Sequence, residues 1–350
     1  MQQVFSSEEL LAAALQVYEQ GKHPLTAMFG RDETLNGAGY AIYCCFEVPE
    51  KRDVHIVKGV FSAEGPLSYE SLAHAIPAAA WYEREIHDMF GLVPEGHPDL
   101  RPLVLHESFP EDFHPLRKSV AVNAKVRGER KFKIRTAKGQ GLFQVPVGPI
   151  HAGIIEPGHF RFSQAGEAML QLDAKLFFTH RGIEKAVEGK TPEEALHIVE
   201  RICGACSVAN TWSFCQAVEK AAGVAVPRRA EIIRTLLSEL ERITNHVGDL
   251  GNMPAGVGFN PAISLGSRLK EQLMRLCEAV AGNRFLRGII VPGGVRQDIT
   301  PELIEHIHEV MDATAQGVED LAAMFREQEN FQNRVRTTGI IRNQTAKDLA

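Results

Sequence analysis

An α+β fold is what this sequence predicts, with a small mixed domain followed by a mainly α-helical bundle. Three observations carry that expectation. Strand-like alternation is concentrated before residue 117, long apolar stripes at helical spacing dominate the later chain, and a basic segment without a stripe lies between them. The expected boundaries are 1–118 for the mixed domain, 119–145 for a basic linker and 146–350 for the helical part.

The first stretch, "MQQVFSSEELLAAALQVYEQG", reads as an amphipathic helix capped by Ser7 and not as a signal peptide. "YAIYCCFEV" (40–48) places Tyr40, Ile42, Cys44, Phe46 and Val48 on one face of a strand. "RDVHIVKGVF" (52–61) follows after the turn-like "PEK", so the two runs predict a hairpin. "HAIPAAAWYEREIHDMFG" has Pro77 near a helix start and Gly91 just past its end, the usual asymmetry of helix termini. Residues 117–138 then carry nine Lys or Arg and one acid. Two readings stay open for them: a solvated linker, or an extended arm that docks on an acidic partner. Beyond "VPVGPIHAG" the chain is expected to be mostly helical. "PRRAEIIRTLLSELERITNHVGDLG" (227–251) starts with Pro227 and aligns Ile233, Leu236, Leu240, Ile243 and Val247 on one stripe. Residues 263–285 and 300–328 have the same character, and several such helices in succession make a bundle.

Composition narrows the function. A chain of 350 residues with 44% hydrophobic content can build two cores. Its 38 Lys and Arg against 44 Asp and Glu, a net charge of −6, argue against nucleic acid as a partner. No run approaches the ~20 apolar residues that span a bilayer. Six cysteines without an export signal point to free thiols in a reducing, cytoplasmic setting, with any membrane attachment made through partners.

The chemistry begins at "RICGACSVAN" (201–210). Cys203 and Cys206 are spaced to converge on one soft metal ion, and thiolates suit zinc, iron–sulfur or nickel. Spacing alone leaves other readings open. Two small thiols at a helix start need hold nothing. Zinc wants a second ligand pair, and no other CxxC occurs in the sequence. A redox dithiol wants a preceding strand, where "TPEEALHIVERI" reads as helix. The remaining cysteines carry less. Cys44 and Cys45 fall on opposite faces of a strand, and Cys215 and Cys277 read as core thiols. "GAGY" and "VPGGV" are glycine turns without the strand–turn–helix context of a dinucleotide site.

The residues around the pair carry a resemblance. "RICGACSVAN" resembles the first cysteine motif of the large subunit of nickel–iron (NiFe) hydrogenases, Arg-x-Cys-Gly-x-Cys followed four residues later by His. "GPIHAGIIEPGHFRF" (148–162), "FFTHRGIEK" (177–185), "ERITNHVGDLG" and "IIVPGGV" are similar to the membrane-associated, energy-converting branch of that family. The same fold serves as the 49 kDa-type quinone-site subunit of respiratory complex I. "WYEREIHDMFGLVPEGHPDLRPL" is similar to the 30 kDa-type subunit of complex I. A 30 kDa-type domain fused to a hydrogenase-type domain is the arrangement of the large subunit in formate hydrogenlyases and their relatives.

This resemblance implies an oxidoreductase subunit that interconverts protons plus electrons with H2. It implies an iron–sulfur small subunit as electron partner, integral membrane subunits that hold the assembly at the inner face of the cell membrane, and maturation factors. The implied cofactor is a NiFe centre whose iron carries cyanide and carbon monoxide. Carried over residue by residue, Cys203 is a terminal nickel ligand and Cys206 bridges nickel to iron. Glu156 is the carboxylate that passes protons, and Arg201 donates hydrogen bonds close to the metal. His151 and His159 pack near the site, or face the quinone headgroup in complex-I-type relatives.

Two departures stand out. Position 210 is Asn where the family has His; an amide donates a hydrogen bond but does not titrate. The family also places a second cysteine pair in an Asp-Pro-Cys-x-x-Cys context near its C-terminus, which this sequence lacks, and "RTTGIIRNQTAKDLA" resembles an interior segment. The expectation is therefore a C-terminally incomplete large subunit that holds no stoichiometric metal alone. Two alternatives stand beside it: the fused C/D subunit of a complex-I-type NADH-quinone oxidoreductase, and a non-catalytic docking or remnant subunit.

Overall fold

The computed structural model describes residues 2–20, 23–51, 53–130, 134–150 and 156–349. Two compact units emerge, one of Met1–Lys185 with Ile341–Ala350, the other of Ala186–Ile340.

The first unit opens with strand β1 (Gln2–Ser6) and helix α1 (Leu10–Leu15). The expected Ser7 cap does not form: Glu9 precedes the first turn of α1, and no side chain caps the helix. Ser6, not Ser7, engages the helix start: its N–H and its hydroxyl both donate to the Glu9 carboxylate, at 3.0 and 2.7 Å. The reason is long-range. Residues 2–6 are drawn into a sheet as a parallel partner of residues 56–60, which places Ser6 at the end of a strand and beside Glu9. β2 (Leu25–Asp32), β3 (Tyr40–Val48) and β4 (Asp53–Phe61) complete a four-stranded sheet of order β1-β4-β3-β2. The predicted hairpin is β3–β4, paired antiparallel from Tyr40↔Phe61 to Val48↔Asp53. Ile42, Cys44 and Phe46 point into the core, joined there by Leu10 and by Ile86 and Met89 of α2 (Ala79–Phe90). Cys45 lies on the opposite side of the strand and is only half-buried, as the alternation requires. α2 ends at Gly91 in the left-handed region (φ 73°), where Gly avoids the strain a Cβ would bring. Short strands β5 (Ser68–Glu70) and β6 (Val93–Glu95) pair in parallel beside it.

Within the basic stretch 117–138, Arg130 is buried. Its guanidinium donates to Asp88 at 2.8 Å and to the carbonyls of Pro110 and Glu111. The other Asp88 oxygen accepts the N–H groups of Leu103, Val104 and Leu105.

Residues 159–175 depart from the expectation of a mostly helical chain beyond 153. β7 (Phe143–Val147), β8 (His159–Ala165) and β9 (Ala168–Lys175) form an antiparallel three-stranded sheet. The turn between β8 and β9 uses Gly166 at φ 60°. Here the alternation of "HFRFSQAGEAMLQLDAK" outweighs its helix formers, because each strand completes its backbone hydrogen bonds with the next.

Helix α3 (Ile183–Val187) runs through the point of division in the chain. The second unit is built mainly of helices: α4 (Pro192–Val199), α5 (Ser207–Ala222), α6 (Arg228–Asn252), α7 (Asn260–Ala281), α8 (Pro301–Glu327) and α9 (Glu329–Val335). Between α7 and α8 sits a tight hairpin of β10 (Ile290–Val291) and β11 (Gly294–Val295), turned at Gly293 with φ 86°. α10 (Asn343–Leu349) closes the described chain. The α6 stripe buries Ile233, Leu240 and Val247 as expected, with Leu237 fully buried and Leu236 packed at the edge of the same core. α6 and α7 approach closely where Gly251 meets Gly266; a Cβ on Gly266 would overlap the Gly251 Cα, so the crossing tolerates no side chain. Arg234, 1% exposed, is held by two bonds to Glu219 and by the carbonyls of Val291 and Gly294. Cys215 and Cys277 are core thiols. Among the described residues no helix is long and apolar enough to cross a membrane.

Candidate metal centre

The cysteine pair lies in the second unit, on the connection between two helices. α4 begins with a full capping box: the Thr191 hydroxyl accepts from the Glu194 N–H, and the Glu194 carboxylate accepts from the Thr191 N–H. It ends at Val199, and Glu200, 2% exposed, turns inward to accept the Gly288 N–H at 2.5 Å. Residues 203–206 belong to no helix or strand, and Cys206 is the residue that precedes the first turn of α5.

Three side chains converge on that short loop. From α6, the Glu241 carboxylate accepts the N–H groups of Val208 and Ala209 at 2.7 and 3.1 Å. One turn further along α6, Asn245 donates to the Ala205 carbonyl at 2.5 Å. From α5 itself, the Asn210 amide donates to the Cys206 carbonyl at 2.8 Å and to the Cys206 sulfur at 3.3 Å. At position 210 the amide is thus a neutral hydrogen-bond donor to the Cys206 sulfur. The Ala205 N–H points at the Cys203 sulfur, 3.4 Å away. Arg287 adds a bond to the Ser207 hydroxyl.

Both thiols are half-buried and lie side by side. Burial, the adjacent Cys203 thiol and the Glu241 charge push the Cys206 thiol up to about 12, offset in part by the Asn210 donor. At neutral pH Cys206 therefore keeps its proton until a cation displaces it. Burial likewise raises the Glu241 carboxyl above the usual carboxylate range, against the two N–H bonds that favour its charge. A cavity of about 150 Å³ opens beside the loop, lined by Gly204, Ala205, Glu241, Asn245, Met274 and Cys277 among others.

The other candidates are placed less centrally. Arg201 is half exposed, and its guanidinium donates to the His197 carbonyl at 2.6 Å and reaches the Glu200 carboxylate at 3.4 Å. Glu156 and His159 belong to the first unit. The exposed Glu156 carboxylate accepts the Thr179 hydroxyl at 2.8 Å, and His159 at the start of β8 contacts the Gly148 carbonyl. His151 lies outside the described residues. Glu241 and Asn245 stand in "ERITNHVGDLG", one of the segments that carry the resemblance, but the sequence does not show that they meet the loop, from 32 and 40 positions away.

Two adjacent, half-buried thiols with sulfur-directed donors around them suit two positions of a soft metal. Among the described residues no group of three or more His, Cys, Asp or Glu side chains is placed to hold a metal ion.

Family patterns match three parts of the chain. "Respiratory-chain NADH dehydrogenase, 30 Kd subunit" spans residues 4–126, "Nickel-dependent hydrogenase" 181–249, and "Respiratory-chain NADH dehydrogenase, 49 Kd subunit" 257–350. Hydrogenase-4 component G of Escherichia coli is 36% identical over 95% of this chain and 61% of its own length. The chain thus joins a 30 kDa-type segment to a nickel-dependent hydrogenase segment and a 49 kDa-type segment, and along nearly its whole length it is similar to this hydrogenase component. Formate hydrogenlyase subunit 5 of the same organism is 32% identical over 95% of the chain and 59% of its own length. The fused C/D subunit of the NADH-quinone oxidoreductase of Phocaeicola vulgatus is similar at 26% identity over 93% of the chain and 66% of that relative. The chain thus spans about three fifths of the length of the two hydrogenase relatives.

Proposed function

We propose that this chain is the large-subunit part of a membrane-linked nickel–iron hydrogenase of formate-hydrogenlyase type, which interconverts protons plus electrons with H2. The observation that carries this reading is the thiol pair at the head of α5, inside the segment matched by the nickel-dependent hydrogenase pattern. A quinone site has no use for two adjacent thiols, which sets the quinone-oxidoreductase C/D reading second. When bound, the NiFe centre supplies heterolytic H2 chemistry at a soft, redox-active metal. This chain would contribute Cys203 and Cys206 as two of the thiolates that hold the centre. Asn210 holds the Cys206 sulfur with a neutral donor, and Arg201 orients Glu200 at the foot of α4. Glu156 is the proposed proton carrier, with the Thr179 hydroxyl as its donor in this structure. Electrons would arrive from an iron–sulfur small subunit, and membrane subunits would hold the assembly at the inner face of the cell membrane. The sequence contains one CxxC, so the four-thiolate centre requires a second pair from residues beyond these 350.

The test is hydrogen evolution from a reduced dye. The chain would be produced with its maturation factors, the small subunit and a segment that supplies the second pair. Activity is expected, and Cys203→Ser or Cys206→Ser should abolish it, because a serine hydroxyl is a hard and weakly acidic ligand. Undiminished evolution in both serine variants would refute the reading.

A further inference from the structure

We propose that Glu241 and Asn245 are positioning residues that hold the Cys203–Cys206 loop in metal-binding geometry. The inference rests on the reading of these cysteines as metal ligands and adds what sets their geometry. The loop has no helical or strand pairing of its own, so side chains must fix it. Glu241 and Asn245 stand four apart on α6, hence on one face of one rigid helix. They grip the loop at two points: Asn245 at Ala205, between the cysteines, and Glu241 at the two N–H groups that follow Cys206. Two anchors on one helix fix both position and rotation of the segment between them. A cap on α5 alone would require only Glu241. The Asn245 bond to the residue between the two thiols serves no helix end, and this separates positioning from capping.

Two thiols alone retain no metal through purification, but in excess Co(II) the full 350-residue chain should bind it weakly through both sulfurs, and thiolate-to-cobalt charge-transfer absorption reports that binding. Loss of a residue that orients metal ligands costs roughly 10–100-fold in affinity, and that range is expected for Glu241→Gln and for Asn245→Ala. Asn245→Gln, which keeps an amide donor, should recover part of the loss, whereas Asn245→Leu should not. Hydrogen exchange at the Val208 and Ala209 amides should quicken in Glu241→Gln while the rest of α5 stays protected. The helical circular dichroism of all four variants should match that of the parent.

Unchanged cobalt affinity in Glu241→Gln and Asn245→Ala, with the band abolished in Cys203→Ser plus Cys206→Ser, would overturn the positioning role and leave the ligand reading intact. A parent chain indistinguishable from the double serine variant would overturn the ligand reading, and the inference with it. Affinity lost only together with helical content would show that the two residues are purely structural.

Discussion

Two carboxylates in this chain perform the same local task in opposite surroundings. Asp88, in the first unit, is fully buried and collects three backbone N–H groups, and a guanidinium neutralises it. Glu241, in the second unit, is half-buried and collects two N–H groups beside a thiol pair, and burial raises its pKa. The first arrangement is a closed knot in which every strong charge has a partner. The second places an acid with a raised pKa next to the candidate ligands, where an arriving cation changes the local field. In this pair the counter-ion is what separates the two: Asp88 has one in Arg130, and Glu241 is held by backbone N–H groups.

The sharpest way to break that comparison is to remove the cation from the knot. Arg130→Met leaves the Asp88 charge buried beside its three N–H donors, and uncompensating a buried pair costs about 3–5 kcal/mol. Urea unfolding of the first unit should move accordingly. Glu241→Gln removes a charged acceptor near the surface and should cost about 1–3 kcal/mol. A larger loss in Glu241→Gln than in Arg130→Met would reverse the assignment of knot and site.

Acid titration sharpens the same contrast within the second unit. The Arg234 hydrogen bonds hold the Glu219 carboxyl below the usual carboxylate range, so its contribution is present above the unfolded-state value near 4.5 and is lost as pH falls through the folded value. Glu241 has the opposite sign. Its folded value is raised, so stability is greatest below the unfolded value and declines as pH rises through the folded one. Melting temperatures between pH 3.5 and 7 should therefore fall less steeply on acidification in Glu219→Gln than in the parent. In Glu241→Gln the fall should be steeper. Parallel curves for both variants would contradict the two assignments.

Local patterns were legible where the partner is a near neighbour in sequence. The β3–β4 hairpin follows from alternation around "PEK", and the α6 stripe from helical spacing. The cysteine pair follows from its own motif, and the Asn210 donor from its place four residues after Cys206. What stayed hidden depends on remote partners. The Ser6–Glu9 contact appears because β1 joins a strand some fifty residues away, Arg130 leaves a basic run for Asp88, and Glu241 with Asn245 reach the loop from another helix. The β8–β9 pairing was missed because "AMLQLDAK" is rich in helix formers, and only its neighbouring strand decides its state.

The central claim is that Cys203 and Cys206 are half of a nickel site, and nickel stoichiometry tests it most directly. Elemental analysis of the purified 350-residue chain should find no stoichiometric nickel. The same chain matured with a segment carrying a second cysteine pair should approach one nickel per chain and lose it in Cys203→Ser and in Cys206→Ser. Full loading that survives both substitutions would show that other residues hold the metal.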